Sequence, residues 1–373
     1  MKKTKKKKAQ SPGKMFLRAF FTLVLVLTLI ATAGVCVYML WEDAPDIQGE
    51  APAVVYTQEP VDVQPVSSED PTPAPTPDEN EGSFETGRKD GVYTILLAGR
   101  DASSGCTDTL LVCRLDTENH TLNCVSIPRD TYANIAWNSR RINCIYAGTV
   151  NSGGVGMDGL REQIKRIIGF DVDCYALVDL DVFVDAIDLM GGVDFDVPCD
   201  MNYEDPNQGL TIHLKAGYQH LDGYQAMGVC RFRKGYRNGD LGRIETQHLF
   251  LKACAKQFIT LGNVPNAGKI IDLLTEKLDT NLTAANMAFF LRQGLKCSAD
   301  DINFYTMPNT PMNVHSVSYT FINLSDWLNM INSTINPYME PITENNLDVV
   351  YYDGGHLRCT TSMRDPSYLT SEG

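Results

Sequence analysis

The stretch Tyr93–Asp130, YTILLAGRDASSGCTDTLLVCRLDTENHTLNCVSIPRD, decides the fold. Tyr93 to Ala98 is an apolar run of strand length that enters a glycine-rich turn holding Asp101 and Asp108. A hairpin follows, and its second strand delivers Arg129 and Asp130. Two carboxylates and an arginine therefore meet at strand ends. Such a grouping suits a hard divalent cation with an anionic ligand, because oxygen donors hold Mg²⁺ and a guanidinium grips phosphate through two parallel hydrogen bonds. The competing reading makes Asp101 and Asp108 turn residues that accept backbone hydrogen bonds. A four-residue turn at Thr117 to His120 sets Cys113 opposite Cys124, either as a cross-strand disulfide or as reduced core thiols.

Downstream the signals alternate. Arg141 to Ala147 reads as a short helix, and the loop NSGGVGMDG leads to an amphipathic helix at Leu160 to Ile168. Asp173 to Leu180 reads as a strand, Val182 to Met190 as a helix stopped by Gly191-Gly192, and Val193 to Val197 as a strand. This interleaving predicts an α/β fold, an α-β-α sandwich around a central mixed sheet. Helices follow at Gly223 to Arg233, Leu241 to Leu261, Ala267 to Lys277 and Ala284 to Lys296. Ile302 to Met307 is a late strand, Leu324 to Ile331 a late helix, and the last twenty residues read as a tail.

Upstream, the first 18 residues carry eight basic side chains and no acid, and Ala19 to Trp41 holds no charge. An uncharged run of this length spans about 30 Å of hydrocarbon as a helix. The basic flank stays in the cytoplasm, so the expected layout is a basic tail (1–18), a transmembrane helix (19–41) and an exterior remainder. Cleavage after Ala31-Thr32-Ala33 is the alternative reading. Residues 42–88, rich in Pro and acid and poor in large apolar side chains, form a spacer that cannot build a core. A domain over 89–335 and an extension over 336–373 complete the expected organisation.

The chain's net charge is −14, and without the eight basic residues of the tail the exterior part stands at −22. Such a surface repels nucleic acid. An anion site must then be built from a local cluster of arginines. None of the eleven cysteines sits in a C-x-x-C pair or at zinc-finger spacing. Glycines 99 and 105 are not followed by the Gly-Lys-Ser/Thr of a nucleotide loop.

The cluster is present as R-x-R-x6-D-x2-R-x3-Q: Arg231, Arg233, Asp240, Arg243 and Gln247. On a helix starting near Asp240 the last three share a face, and Arg231 and Arg233 point together from an extended segment. Three arginines and a glutamine then converge, able to hold a pyrophosphate and stabilise charge on a leaving phosphate. A solvated basic face with Asp240 as N-cap is the alternative. Ser126 has no histidine partner evident in the sequence, and Asp130 is the candidate general base.

ILLAGRD with TDT, VSIPRDTY, RINCIYAG, LVDLDVFVDAIDLMGGVDFDVP and the run from RFR to DLGRIETQ together resemble the LytR-CpsA-Psr family, over roughly Tyr93 to Ile331. The resemblance implies a phosphotransferase outside the membrane that moves a glycopolymer from an undecaprenyl-pyrophosphate carrier to a muramic acid hydroxyl of peptidoglycan. It further implies that Asp101 and Asp108 hold Mg²⁺, that Arg129, Arg231, Arg233, Arg243 and Gln247 bind the pyrophosphate, that Asp240 orients the arginines, and that the lipid lies in an apolar tunnel. Hydrolysis of the lipid pyrophosphate, and binding without chemistry in a regulator, use the same residues. Cys106 and Thr246 stand where the family usually has arginine, and Lys165, Arg140 and Arg141 are the available substitutes.

Overall fold

Burial alternates along the central hairpin. Leu96, Ala98, Leu110 and Val112 face one core, while Leu111 and Cys113 face another. A sheet buried on both faces needs cover on both sides, and that requirement sets the architecture. The computed structural model describes residues 43–47, 87–100, 105–148, 155–206, 209–236, 240–260 and 264–370. The expected membrane span and most of the spacer lie outside these residues, and among those described no helix is long and apolar enough to cross a membrane.

The chain begins with β1 (Val92–Arg100), β2 (Thr107–Asp116), β3 (Thr121–Ser126), a 3₁₀ turn at Ile142–Cys144, α1 (Gly156–Ile168), β4 (Cys174–Asp179) and α2 (Leu180–Met190). Four short strands follow, β5 (Val193–Val197), β6 (Met201–Asp205), β7 (Leu210–Leu214) and β8 (Gly217–Leu221). Next come α3 (Gly223–Arg231), α4 (Asp240–Thr260), α5 (Val264–Lys277), β9 (Asp279–Thr280), α6 (Ala284–Gly294) and β10 (Ile302–Thr306). The C-terminal part holds β11 (Asn309–Val314), β12 (Val317–Ile322), α7 (Leu324–Met330) running into a π turn, β13 (Val350–Asp353), β14 (His356–Cys359) and α8 (Pro366–Thr370).

The main sheet runs β10-β3-β2-β1-β4-β9. It is mixed: β3–β2, β2–β1 and β4–β9 are antiparallel, and β10–β3 and β1–β4 are parallel. Cys113 and Cys124 are directly opposed and disulfide-bonded, so of the two readings of this pair the structure takes the bridge. On one face α1 buries Met157, Leu160, Ile164, Ile167 and Ile168, a helical stripe that ends where Gly169 takes φ +88°. Trp327 of α7 is fully buried beside it and donates its indole N–H to the Ile167 carbonyl at 2.8 Å. The other face packs Leu111 and the disulfide against Leu251 of α4. The result is the three-layer sandwich expected.

Two expectations need correction. The last residues are not a tail: β13 pairs with β14, and Tyr368 and Leu369 pack against the cluster of Tyr132, Tyr319 and Phe321. Residues beyond 335 also enter the main core, through Tyr338, Ile342, Leu347 and Val349. The expected helix at Arg141 to Ala147 contracts to a single 3₁₀ turn.

The α2–α3 contact positions the arginine run. α3 starts with a capping box between Asp222 and Gln225, and Gly223 lies so close to α2 that a Cβ there would sit 2.3 Å from the Val184 carbonyl oxygen. Because the obstacle is backbone, nothing can rotate aside. Gly223→Ala is therefore expected to cost about 1–3 kcal/mol of stability, seen as a lowered urea midpoint.

Candidate functional site

Helix α3 ends at Arg231, and Phe232 turns extended (φ −64°, ψ 128°), which presents Arg231 and Arg233 to the same cavity. That cavity, of about 450 Å³, is lined by Asp108, Arg129, Arg141, Arg231, Arg233 and Lys234 among others. Arg129 Nη1 donates to Asp108 Oδ1 at 2.9 Å, and Arg233 Nη2 to Oδ2 at 2.8 Å. Burial alone would raise the Asp108 pKa. The hydrogen bond from Arg129 and the charges of Arg233, Arg129 and Arg243 outweigh burial and hold the carboxyl below its usual range.

Of the sequence candidates, Asp108, Arg129, Arg231 and Arg233 thus come together. Arg243, on α4, is 2% exposed, and its charge acts on Asp108. Gln247 is placed differently: it lines a second, apolar cavity and donates Nε2 to the Cys230 carbonyl at 2.9 Å, tying α4 to α3. It therefore stands apart from the lining of the cationic cavity. Asp101 lies outside the described residues, as does the side chain of Asp240.

Among the three substitute cations, only Arg141 lines the cavity. Arg140 is buried against the Tyr368 ring, 3.6 Å from its centroid, and pairs with Asp365 at 2.6 Å. Lys165 pairs with Asp171 on the surface. Asp130, the candidate base, faces Arg141 at 3.3 Å. Lys234, Tyr203 and Asn143 were not anticipated as lining residues. Adjacency to Arg233 was the available signal for Lys234; β6, which brings Tyr203, had none.

The second cavity, about 200 Å³, is walled by Leu97, Ala98, Leu111, Phe183, Met227 and Leu251 between sheet and helices. It lies next to the cationic one along the chain, since Asp108 and Arg231 line the first and Thr109 and Cys230 the second. A cluster of cations and an apolar chamber on the same elements suit an amphiphile with a multiply charged head.

Ser126 does have a histidine partner. Its hydroxyl lies 2.6 Å from His248 Nε2, and the ring stacks on Phe304. Burial pushes the His248 pKa down to about 4, so near neutrality the ring is uncharged and shares a hydrogen bond with the serine hydroxyl. Ser126 is 7% exposed, and the pair reads as a satisfied core contact. For linkage the sign is clear. The unfolded chain, with a value near 6.5, binds a proton that the folded chain refuses, so stability is lost as pH falls from about 6.5 to about 4. Melting temperature followed across this window should fall as pH falls, and His248→Gln, whose carboxamide can still pair with Ser126 but does not titrate, should flatten that limb.

Comparison with known proteins gives a consistent picture. The model of the LytR_cpsA_psr family matches residues 61–336. The polyisoprenyl-teichoic acid–peptidoglycan teichoic acid transferase TagV of Bacillus subtilis (strain 168) is 34% identical over 200 residues, 51% of this chain and 50% of TagV. The chain thus spans about half the length of that relative. A transferase named TagU from Bacillus mycoides (strain KBAB4) is 30% identical over 56% of this chain and 67% of its own. The crystal structure of B. subtilis TagV superposes with a TM-score of 0.55 at 26% identity, covering 66% of this chain and 96% of that one.

Proposed function

The chain belongs to the LytR_cpsA_psr family, and on that premise we propose that it transfers a glycopolymer from an undecaprenyl-pyrophosphate carrier to peptidoglycan, outside a membrane to which its N-terminus anchors it. The relatives named above are teichoic acid–peptidoglycan transferases that act on a polyisoprenyl-linked substrate. One observation carries the reading here: Arg129, Arg141, Arg231, Arg233 and Lys234 line one cavity in a domain that is otherwise acidic, and the residues next to Asp108 and Arg231 in the chain line an apolar chamber.

The pyrophosphate binds among these arginines, whose planar forks match its oxygens, and the first isoprene units of the prenyl chain enter the chamber lined by Leu97, Leu111, Phe183 and Leu251. The acceptor hydroxyl attacks the sugar-linked phosphorus and gives up its proton to solvent, the bond to the bridging oxygen breaks, and lipid phosphate leaves. Arg129 and Arg233, held by Asp108, neutralise the charge that grows on the departing group. Because they are already oriented by that carboxylate, little reorganisation accompanies the step.

Asp108 also fits a Mg²⁺ ion. It is an ionised hard oxygen donor, and with one arginine on each oxygen it retains lone pairs. Together with Asp101 it would hold the ion, which supplies further neutralisation of phosphate charge.

The full chain in vesicles, given a labelled lipid-pyrophosphate oligosaccharide, Mg²⁺ and peptidoglycan, is expected to join label to peptidoglycan. Asp108→Asn should reduce joining by about 10²-fold or more and remove its dependence on added Mg²⁺. Release of sugar phosphate without joining would replace transfer by hydrolysis, and binding without turnover would make the protein a receptor for the lipid.

A further inference from the structure

The cationic cavity carries two side chains that phosphate transfer does not use. Cys106, just before β2, and Cys144, at the end of the 3₁₀ turn, both line it, and their Sγ atoms lie 4.0 Å apart. Both thiols are half-buried. The segments that bear them already touch: Thr107 Oγ1 donates to the Asn143 carbonyl at 3.4 Å, and a Cβ at Gly105 would meet the Ala147 Cβ at 3.6 Å. Two half-exposed thiols in contact on pinned backbone need little beyond side-chain rotation to bridge, since sulfurs in a disulfide are about 2.05 Å apart.

We propose that Cys106 and Cys144 form a reversible thiol–disulfide site on the wall of the anion cavity, closed by exchange with an external protein or small-molecule disulfide. In closing, two S–H bonds and the incoming S–S bond break, and the Cys106–Cys144 S–S bond forms. Two electrons and two protons pass to the incoming disulfide, which leaves as two thiols.

The bridge acts on the wall. In the open form Cys144 accepts a hydrogen bond from Ser139 Oγ and donates to Asn143 Oδ1, each at 3.2 Å. Closing frees the Asn143 carboxamide, itself a lining group, for the cavity. It also ties the segment leading to Asp108, two residues on, to the turn that follows Arg141. A wall fixed before the ligand arrives spends less ordering entropy on binding, so the closed form holds a pyrophosphate more tightly. This affinity effect rests on the anion-site reading above; the bridge itself does not.

The full chain, equilibrated with oxidised or reduced glutathione, acid-quenched, alkylated and peptide-mapped by mass spectrometry, is expected to show Cys106 joined to Cys144 in the first buffer and both alkylated in the second. Farnesyl diphosphate should bind the closed form at least about fivefold more tightly. Cys144→Ser should show the open-form affinity in both buffers. Alkylation of both cysteines in an oxidising buffer that leaves Cys113–Cys124 closed overturns the proposal, as does a bridge with equal affinities on either side. If neither form binds farnesyl diphosphate, the pyrophosphate reading fails and takes the affinity effect with it, while the peptide map still decides the bridge.

Discussion

Replacing Arg243 by alanine is expected to lower glycopolymer transfer by about a hundredfold. The guanidinium is 2% exposed on α4 and does its work from behind the cavity, helping keep Asp108 ionised and so keeping Arg129 and Arg233 in place. Arg243→Lys restores the charge without the planar fork and should recover part of the rate. A purely structural role would lower the amount of folded protein and leave the pH profile of the remainder unchanged. Loss of a cation beside Asp108 predicts instead that the acid limb of the pH–rate profile moves to higher pH in Arg243→Ala. Transfer measured across pH, normalised to folded protein by circular dichroism, separates the two.

The largest effect on stability is expected at Asp348, far from the chemistry. This carboxylate is 3% exposed and accepts from Asn134 at 2.7 Å, Thr361 at 2.6 Å, Arg166 at 3.1 Å and Arg364 at 2.9 Å. It thereby clamps α1 and the C-terminal strands onto one centre. Asp348→Ala takes the shared acceptor from Arg166, Arg364, the buried Asn134 and the part-buried Thr361, at about 3 kcal/mol. Asp348→Asn, which keeps the shape, should cost less. Burial opposes ionisation here, but the hydrogen bonds from Thr361, Asn134 and Arg364 with the Arg364 charge prevail, leaving the pKa lowered. The stabilisation is therefore complete above the ordinary carboxylate value of 3.8 and is lost as pH falls through the lower folded one. Urea midpoints of wild type and Asp348→Ala at neutral and acid pH should converge on the acid side.

How much of this was legible in the sequence depended on whether the signal was local. α1 and α2 announce themselves, because Leu160, Ile164 and Ile167 recur at helical spacing and Gly169 and Gly191 stop each helix in the left-handed region. The hairpin of β6 and β7 does not, since acidic residues and the loop after Asp205 interrupt its alternation. β11–β14 were hidden for another reason: each is four to six residues long and stabilised by partners that a local window cannot see.

The site divides in the same way. Asp108, Arg129, Arg231 and Arg233 stand in compact motifs and were readable as a group. Helical phase put Arg243 and Gln247 on one face, and both are buried. It says nothing about depth, so it could not tell that Gln247 would bond the Cys230 carbonyl. His248 and Ser126 are 122 residues apart, and the Cys106–Cys144 contact spans 38; neither leaves a local trace.

The pairing of β10 with β3 has a kinetic consequence. Asn303 meets Asn123 across 180 residues, so this edge of the sheet stays open until β10 has been made. The hairpin of β1, β2 and β3, with its Cys113–Cys124 bridge, can form early from local contacts, whereas β10 must find its parallel partner by closing a very long loop. Folding should therefore be limited by this late closure, with the exposed edge of β3 as the point where a half-made chain is most prone to pair with another.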